Sequence, residues 1–463
     1  MSTRRQFIKQ AALATGGVLT SATSWGHFFI PKKRKVIIIG GGFAGLSAAY
    51  SLHQRNIDFE LLECGDMVGG RVYSKKMGPQ DELVVELGAE WVGEDHAMMC
   101  GLCEHFGLTL ENNQFNSRAI YKNKYYEHLD DLMPPDWEKK YNILLKQYQQ
   151  LDDKHKEAAG KLLDKTDWWR YLVSQGFDDT ALDLRDLLDS TDFGETIRQV
   201  SAYVAIDEYA RSSMISRNEM DLKIKGGNQQ LAFKIAALFP EKIKTNCRVV
   251  KIVQNKGEKV QVHCADGSVV TGDKIICTIP TFAMQKITWQ PELPGSMTYA
   301  INALQYARIN KHAMLFSNRF WKDESFDLIT DMPAHYVYHA TKNQQSAKGA
   351  LISYTIGDKA AVAANQTDAW YAEMFQQSLN PNPDFVDVKS MIEGHAKCYW
   401  GNRDYVRGSY AIYGKGQWFD LFHKLNQPHI NTYFAGEHLS ENWGGFMEGA
   451  LETGRAAAEK LRG

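Results

Sequence analysis

The residues with the clearest chemical purpose are three glycines and an acid near the start of the chain. Gly40, Gly42 and Gly45 stand in the spacing G-x-G-x-x-G, and Glu63 follows at the end of the next apolar run. In such a loop the first glycine permits a tight turn. The second lets the backbone approach a pyrophosphate, and the third lets a helix pack closely on the preceding strand. The free N–H groups and partial positive charge of that helix's N-terminus attract phosphate. A carboxylate at Glu63 accepts hydrogen bonds from ribose hydroxyls and repels an additional 2′-phosphate. Gly69-Gly70-Arg71 then joins two small residues to a guanidinium, which suits a backbone passing close to a phosphate.

The elements needed to position these residues are legible around them. Val36-Ile37-Ile38-Ile39 is a β-branched apolar run, the pattern of a strand buried on both faces. Leu46, Ala49, Tyr50 and Leu52 recur at helical spacing after the glycines, and Asp58 to Glu63 reads as a second strand. Together these predict a dinucleotide-binding βαβ unit. Near the C-terminus, Thr432 to Phe434 reads as a strand leading to Gly436 and Glu437. Gly449, Ala450, Thr453, Gly454 and Ala457 form a small-residue stripe at helical spacing, which lets something flat lie close to the backbone.

At this point the chain resembles the flavin amine oxidases, of which monoamine oxidase is the best-known member. The matching stretches are the Gly40–Gly45 loop with Glu63, Gly69-Gly70-Arg71, the Gly88-Ala89 turn, Gly226-Gly227-Asn228, Ile275 to Pro280, and Gly436 to Ala450. Residues from about 115 to 220 match nothing by eye. The resemblance implies an α/β fold: a Rossmann-like, GR2-type FAD-binding domain with an inserted α+β substrate-binding domain. The expected boundaries are 32–115, 221–290 and 392–463 for the first, and 116–220 and 291–391 for the second. It implies that FAD is held by Gly40, Gly42, Phe43, Ala44, Gly45, Glu63, Gly70 and Arg71. To these it adds Gly88, Ala89, Glu90, Trp91, Val250, Trp400, Gly436, Glu437, Gly445, Phe446 and Met447.

The implied reaction is hydride transfer from the amine-bearing carbon to the flavin, with oxygen or another carrier reoxidising it. Tyr410 and Phe446 fall where the family places two facing rings, Phe446 standing where tyrosine is common. Lys311 falls where the family holds a water against the flavin, and partial burial would lower its pKa. His312, its neighbour, should face the other way and be structural. Covalent members carry cysteine in a Gly-Cys-Tyr pattern. This chain reads Gly408-Ser409-Tyr410, so the FAD should be noncovalent.

An amino-acid oxidase needs a fixed cation for the substrate carboxylate. In that branch an arginine is expected shortly after the Gly-Ala turn, where this chain has Glu90-Trp91-Val92-Gly93-Glu94-Asp95. That favours a small-molecule amine without a carboxylate, with Glu90, Glu94 and Asp95 able to draw cations toward an entrance. Arg403 and Arg407 keep an L-amino-acid oxidase open, and a flavin desaturase or porphyrinogen-type oxidase shares the first motif. A flavoprotein that only binds its ligand is the reading outside catalysis.

The remaining composition narrows the classes. With 463 residues, 44% hydrophobic and 23% charged, the chain can bury a large core, and a net charge of −2 without a basic face argues against nucleic acid. Seven irregularly spaced cysteines do not form a disulfide framework, and Cys100 and Cys103 read as adjacent turns of a packed helix. Arg4-Arg5-Gln6-Phe7-Ile8-Lys9 precedes a short apolar stretch and resembles a twin-arginine signal in a segment spanning 1–30. The expected partner is the twin-arginine export machinery and the expected location periplasmic or exported. An uncleaved membrane anchor stays open because no clear cleavage site follows. A homodimer is among the assemblies open to the chain.

Overall fold

The computed structural model describes residues 34–80, 82–214 and 220–461. The expected signal segment at 1–30 therefore lies outside the described residues.

The Val36–Ile39 run becomes the central strand Lys35–Ile39 of a parallel five-stranded sheet. The order is Thr432–Phe434, Lys274–Cys277, Lys35–Ile39, Asp58–Leu62, Ile243–Lys244. Alternate residues of this strand enter opposite layers. Val36 and Ile38 join the core under the helices Phe43–Gln54 and Met447–Glu459. Ile37 and Ile39 join the core on the other side, with Val260, Val262, Val270 and the helix Trp418–Leu425. A second sheet takes the order Val269–Gly272, Val260–Cys264, Val249–Val253, Thr288–Gln290. Within it the Asp266-Gly267 turn joins Val260–Cys264 to Val269–Gly272.

A seven-stranded sheet forms the other major layer. Its order is Ile392–Tyr399, Ile309–Phe316, Gly349–Ile356, Tyr336–His339, Phe326–Thr330, Asn116–Tyr121, Lys124–Tyr126. Ile309–Phe316 is buried at every position, since it is paired on both edges and covered on both faces. The strand Ile392–Tyr399 pairs along it, so the boundary expected at 392 falls at a strand of this sheet.

The charged stretch after Trp137 forms helices, as its periodicity predicts: Trp137–Gln149, Asp153–Leu163, Trp168–Ser174 and Asp179–Phe193. Asp152, Asp167 and Asp178 cap three of them by accepting from the N–H of His155, Arg170 and Ala181. The last helix stops at Gly194, whose φ of 66° turns the chain sharply. With Ala202–Met214 these helices share a core centred on Trp168, Leu184 and Ala205. Cys100 and Cys103 lie on the helix Ala97–His105, as expected, and the seven cysteines are unbridged. Among the described residues no helix is long and apolar enough to cross a membrane.

Candidate active site

The glycine loop is built for close approach. Gly40 has a φ of 108°, and a Cβ there would meet Thr278 Oγ1 at 2.6 Å. A Cβ on Gly45 would collide with the carbonyl of Gly40, so the helix can start here only with glycine. A Cβ on Gly42 would find nothing nearer than Gly70 Cα at 3.9 Å, and Gly42 pairs with Gly69 as an isolated bridge. Two glycine loops therefore lie back to back, with their outer side open. Glu63 closes the turn by accepting from the N–H of Gly41 at 2.6 Å and of Gly65 at 2.7 Å.

These loops open one end of a cavity of about 810 Å³. It is lined by Gly40, Gly42, Phe43, Ala44, Glu63, Gly70 and Arg71. It continues past Gly88, Ala89, Glu90, Trp91, Lys311, Trp400 and Tyr410 to Gly436, Glu437, Gly445, Phe446 and Met447. Of the expected site residues, Gly45 lies beneath the lining and Val250 does not reach it. Val250 is half-buried in the strand Val249–Val253.

Arg71 and Glu437 join the first and last segments of the site. The guanidinium meets Glu437 Oε1 at 2.5 Å. The other oxygen accepts from Gly445 N–H at 3.0 Å, and Oε1 also accepts from Ala411 N–H at 3.2 Å. Burial would raise the Glu437 carboxyl, but the charge and hydrogen bond of Arg71, with His438 and the Gly445 N–H, together hold the group below its ordinary value. Gly445, at a φ of 83°, lies against Tyr410: a Cβ there would meet the ring at 3.0 Å. Phe446 is the N-cap of Met447–Glu459 and packs edge-on against His96 and Trp443, at 5.5 and 6.1 Å between ring centroids. Tyr410 and Phe446 thus line one cavity from separate segments. The Tyr410 hydroxyl donates to the carbonyl of Asp192.

Lys311 differs from the expectation. Its ammonium donates to the carbonyls of Glu86 at 3.2 Å and Gly88 at 2.9 Å, and to Glu90 Oε2 at 3.1 Å. Three protons meet three protein acceptors, so a water would have to displace one of them. The Nζ also sits 4.7 Å from the centroid of the Trp91 ring. Glu90 is correspondingly not an entrance residue. It is wholly buried and also accepts from Tyr338 at 2.6 Å. Beside it, burial and the Glu90 charge push Glu86 up to about 7. Asn228 braces this turn, donating its side-chain amide to the carbonyls of Ala89 and Glu90 at 3.1 and 2.7 Å.

The lining also carries acids whose place at the cavity was not visible in the sequence: Asp192, Asp207, Glu208, Asp221, Asp327 and Glu441. Asp192 and Glu208 present surface to the cavity yet are surrounded by protein. Burial, helped by Asp189, pushes Asp192 up to about 7. Burial, helped by Asp192, pushes Glu208 up to about 8. The cations here are committed: Arg211 bonds Asp207 at 2.9 Å and the carbonyl of Asn442. Arg403 and Arg407, which kept the amino-acid reading open, do not line the cavity. Arg403 lies 3.8 Å from Cys398 Sγ, and Arg407 pairs with Asp404 at 3.7 Å.

Comparison with known proteins agrees with this geometry. The chain is 24% identical to an L-amino acid oxidase of Lachesis muta, covering 92% of this chain and 87% of that protein. It is 25% identical to an L-amino-acid oxidase of Vipera ammodytes ammodytes, covering 92% of each. Putrescine oxidase bound to putrescine superposes with a TM-score of 0.80 at 18% identity, covering 92% of this chain and 98% of that one. Cyclohexylamine oxidase from Brevibacterium oxydans gives 0.80 at 20% identity, over 93% and 98%. At these identities the structural likeness speaks for the fold. The profile of flavin-containing amine oxidoreductases matches residues 43–462, including the stretch from 115 to 220 that resisted alignment by eye. The chain belongs to the flavin-containing amine oxidoreductase family.

Proposed function

We propose that this flavoenzyme oxidises amines that carry a second cationic group and no carboxylate. The observation that carries the reading is the acidic lining of the cavity, where Asp192, Asp207 and Glu208 lie near one another and Asp221 and Glu441 also contribute. A field of that sign concentrates cations and repels carboxylates. The bound flavin supplies the hydride acceptor. The protein's share is to place the amine between Tyr410 and Phe446, to exclude water there, and to hold the distal ammonium on the carboxylates. The solved putrescine oxidase, with a diamine bound in the same fold, supports this substrate class.

The cofactor reading is noncovalent FAD. Ser409 stands where covalent members carry cysteine, and its hydroxyl cannot make a thioether. The Gly42–Gly70 cradle leaves room for a pyrophosphate against backbone, and Glu63 lines the cavity where a ribose would follow. Export through the twin-arginine route is proposed from Arg4 and Arg5, with Phe7, Lys9 and the apolar stretch after them, and fractionation of cells making the wild type and an Arg4→Lys, Arg5→Lys variant tests it.

The L-amino-acid reading is favoured by the curated relatives, and Arg211 would have to leave Asp207 to serve as its cation. Anaerobic mixing separates the two. Short diamines should bleach the flavin absorbance faster than simple monoamines, and L-amino acids should not bleach it. Bleaching by L-amino acids but not by diamines would overturn the proposal.

A further inference from the structure

His312 was expected to be structural because it alternates with Lys311 along one strand. It does turn the other way, but its surroundings are those of an incomplete ligand set. The ring is fully buried in the strand Ile309–Phe316 and packs on Tyr371, tilted by 31° with 3.7 Å between centroids. Its Nδ1 is buried without a hydrogen-bond partner, so the ring's polar attachment is through Nε2. That atom lies 2.8 Å from Nδ1 of His395, on the neighbouring strand Ile392–Tyr399. A nitrogen-to-nitrogen hydrogen bond requires one acceptor, so at least one imidazole presents a lone pair. The carboxylate of Asp368, first residue of the helix Asp368–Leu379, completes a group whose ligand atoms all lie within 4.8 Å of one another. None of the three residues lines the cavity.

We propose that His312, His395 and Asp368 bind a divalent transition ion of the zinc class on the face of the seven-stranded sheet opposite Lys311. Two imidazole nitrogens and one carboxylate oxygen suit zinc, nickel or copper better than magnesium or calcium. Bonds of about 2.0–2.1 Å in a tetrahedral arrangement place donor atoms about 3.4 Å apart. The histidine nitrogens, 2.8 Å apart, have to open slightly. The anchor is the rigid member: His312 is locked by the sheet and by Tyr371. The movable member is Asp368, on an exposed helix start. Three protein ligands leave the fourth position to water.

Lys397 occupies the place of the competing cation. Its ammonium bonds Asp368 at 3.0 Å and the carbonyl of Gln366 at 3.2 Å. In the metal-free protein it neutralises the carboxylate that the ion would use. Removing that charge should therefore tighten binding, an outcome that a merely structural His–His contact does not produce.

The test uses the flavin-loaded protein, stripped with chelator, desalted and titrated with zinc chloride against a chromophoric chelator. The wild type should bind zinc stoichiometrically. His395→Gln and Asp368→Asn should each weaken binding by more than about tenfold, the loss that even outer-shell changes cause at metal sites. Lys397→Met should strengthen it. Wild-type zinc binding that neither ligand substitution weakens would overturn the proposal. So would an unchanged or weaker affinity in Lys397→Met, which decides the matter if a ligand variant fails to fold. The readout is independent of amine oxidation, so its failure leaves the proposed function intact.

Discussion

Asp192 and Glu208 show how a residue's place changes its chemistry. On exposed helices both would be ionised well below neutral pH; facing a protein-walled cavity, they titrate near about 7 and about 8. Their grip on a distal ammonium should therefore strengthen as pH rises through that range. KM for a diamine should fall between pH 6.5 and 8.5, and Asp192→Asn or Glu208→Gln should flatten the change while leaving a monoamine's KM nearly untouched. Steady-state profiles on the two substrates check this; equal effects on both would point to a structural role. Lys311 makes a different point, because its ammonium and Glu90 are buried together. Lys311→Met leaves an unpaired buried carboxylate and should cost about 3–5 kcal/mol. Adding Glu90→Gln should recover part of that loss in urea melts.

At the scale of elements, the site depends on a helix-to-helix contact with no room to spare. The helix Met447–Glu459 crosses Phe43–Gln54 so closely that a Cβ on Gly454 would strike the backbone of Ala44. Ser47 donates to the carbonyl of Leu451 at 2.6 Å across the same contact. This crossing aligns Phe446, Met447 and the glycine loop along one cavity. Gly454→Ala should force the helices apart, lower stability by about 1–3 kcal/mol, and weaken flavin retention through a gel-filtration column. Retention equal to wild type would show that the helices absorb the added methyl. The small-residue stripe was legible in the sequence, but its partner was not. The sequence reading offered a flat ligand, whereas Gly454 meets another helix.

For the whole molecule, two sets of buried groups give opposite slopes of stability with pH. Burial pushes His96 and His438 down to about 4, and His335 and His339 down to about 3. From there to the ordinary histidine value the unfolded chain binds more protons, so stability rises with pH. Glu86, Asp192 and Glu208 are pushed up, to about 7, 7 and 8. Above the ordinary carboxylate value the folded chain holds more protons at these sites, so their contribution falls until pH passes their folded values. The two trends should give a thermal midpoint that peaks near about pH 6.5. Differential scanning at pH 5, 6.5 and 8.5 checks this, and a steady rise across the three would contradict it. Acid precipitation tests the cofactor attachment: the yellow colour should stay in the supernatant.

What the sequence alone determined was the cofactor half. Gly40, Gly42, Gly45, Glu63 and Arg71 are local signals, because backbone turns and close approaches demand particular residue types at short spacing. Tyr410, Phe446 and Lys311 became legible only through resemblance. What tertiary structure decided is everything that depends on which distant surfaces meet. Asp192 and Glu208 are written like solvated helix acids, and only the packing of their helices makes them line the cavity. Glu90 looked like an entrance acid until Lys311 was found against it, and Arg403 and Arg407 looked like clamps until they fell outside the lining. Glycine constraints are short-range and leave a mark in the sequence; the partner of a charge is set by the fold and leaves none.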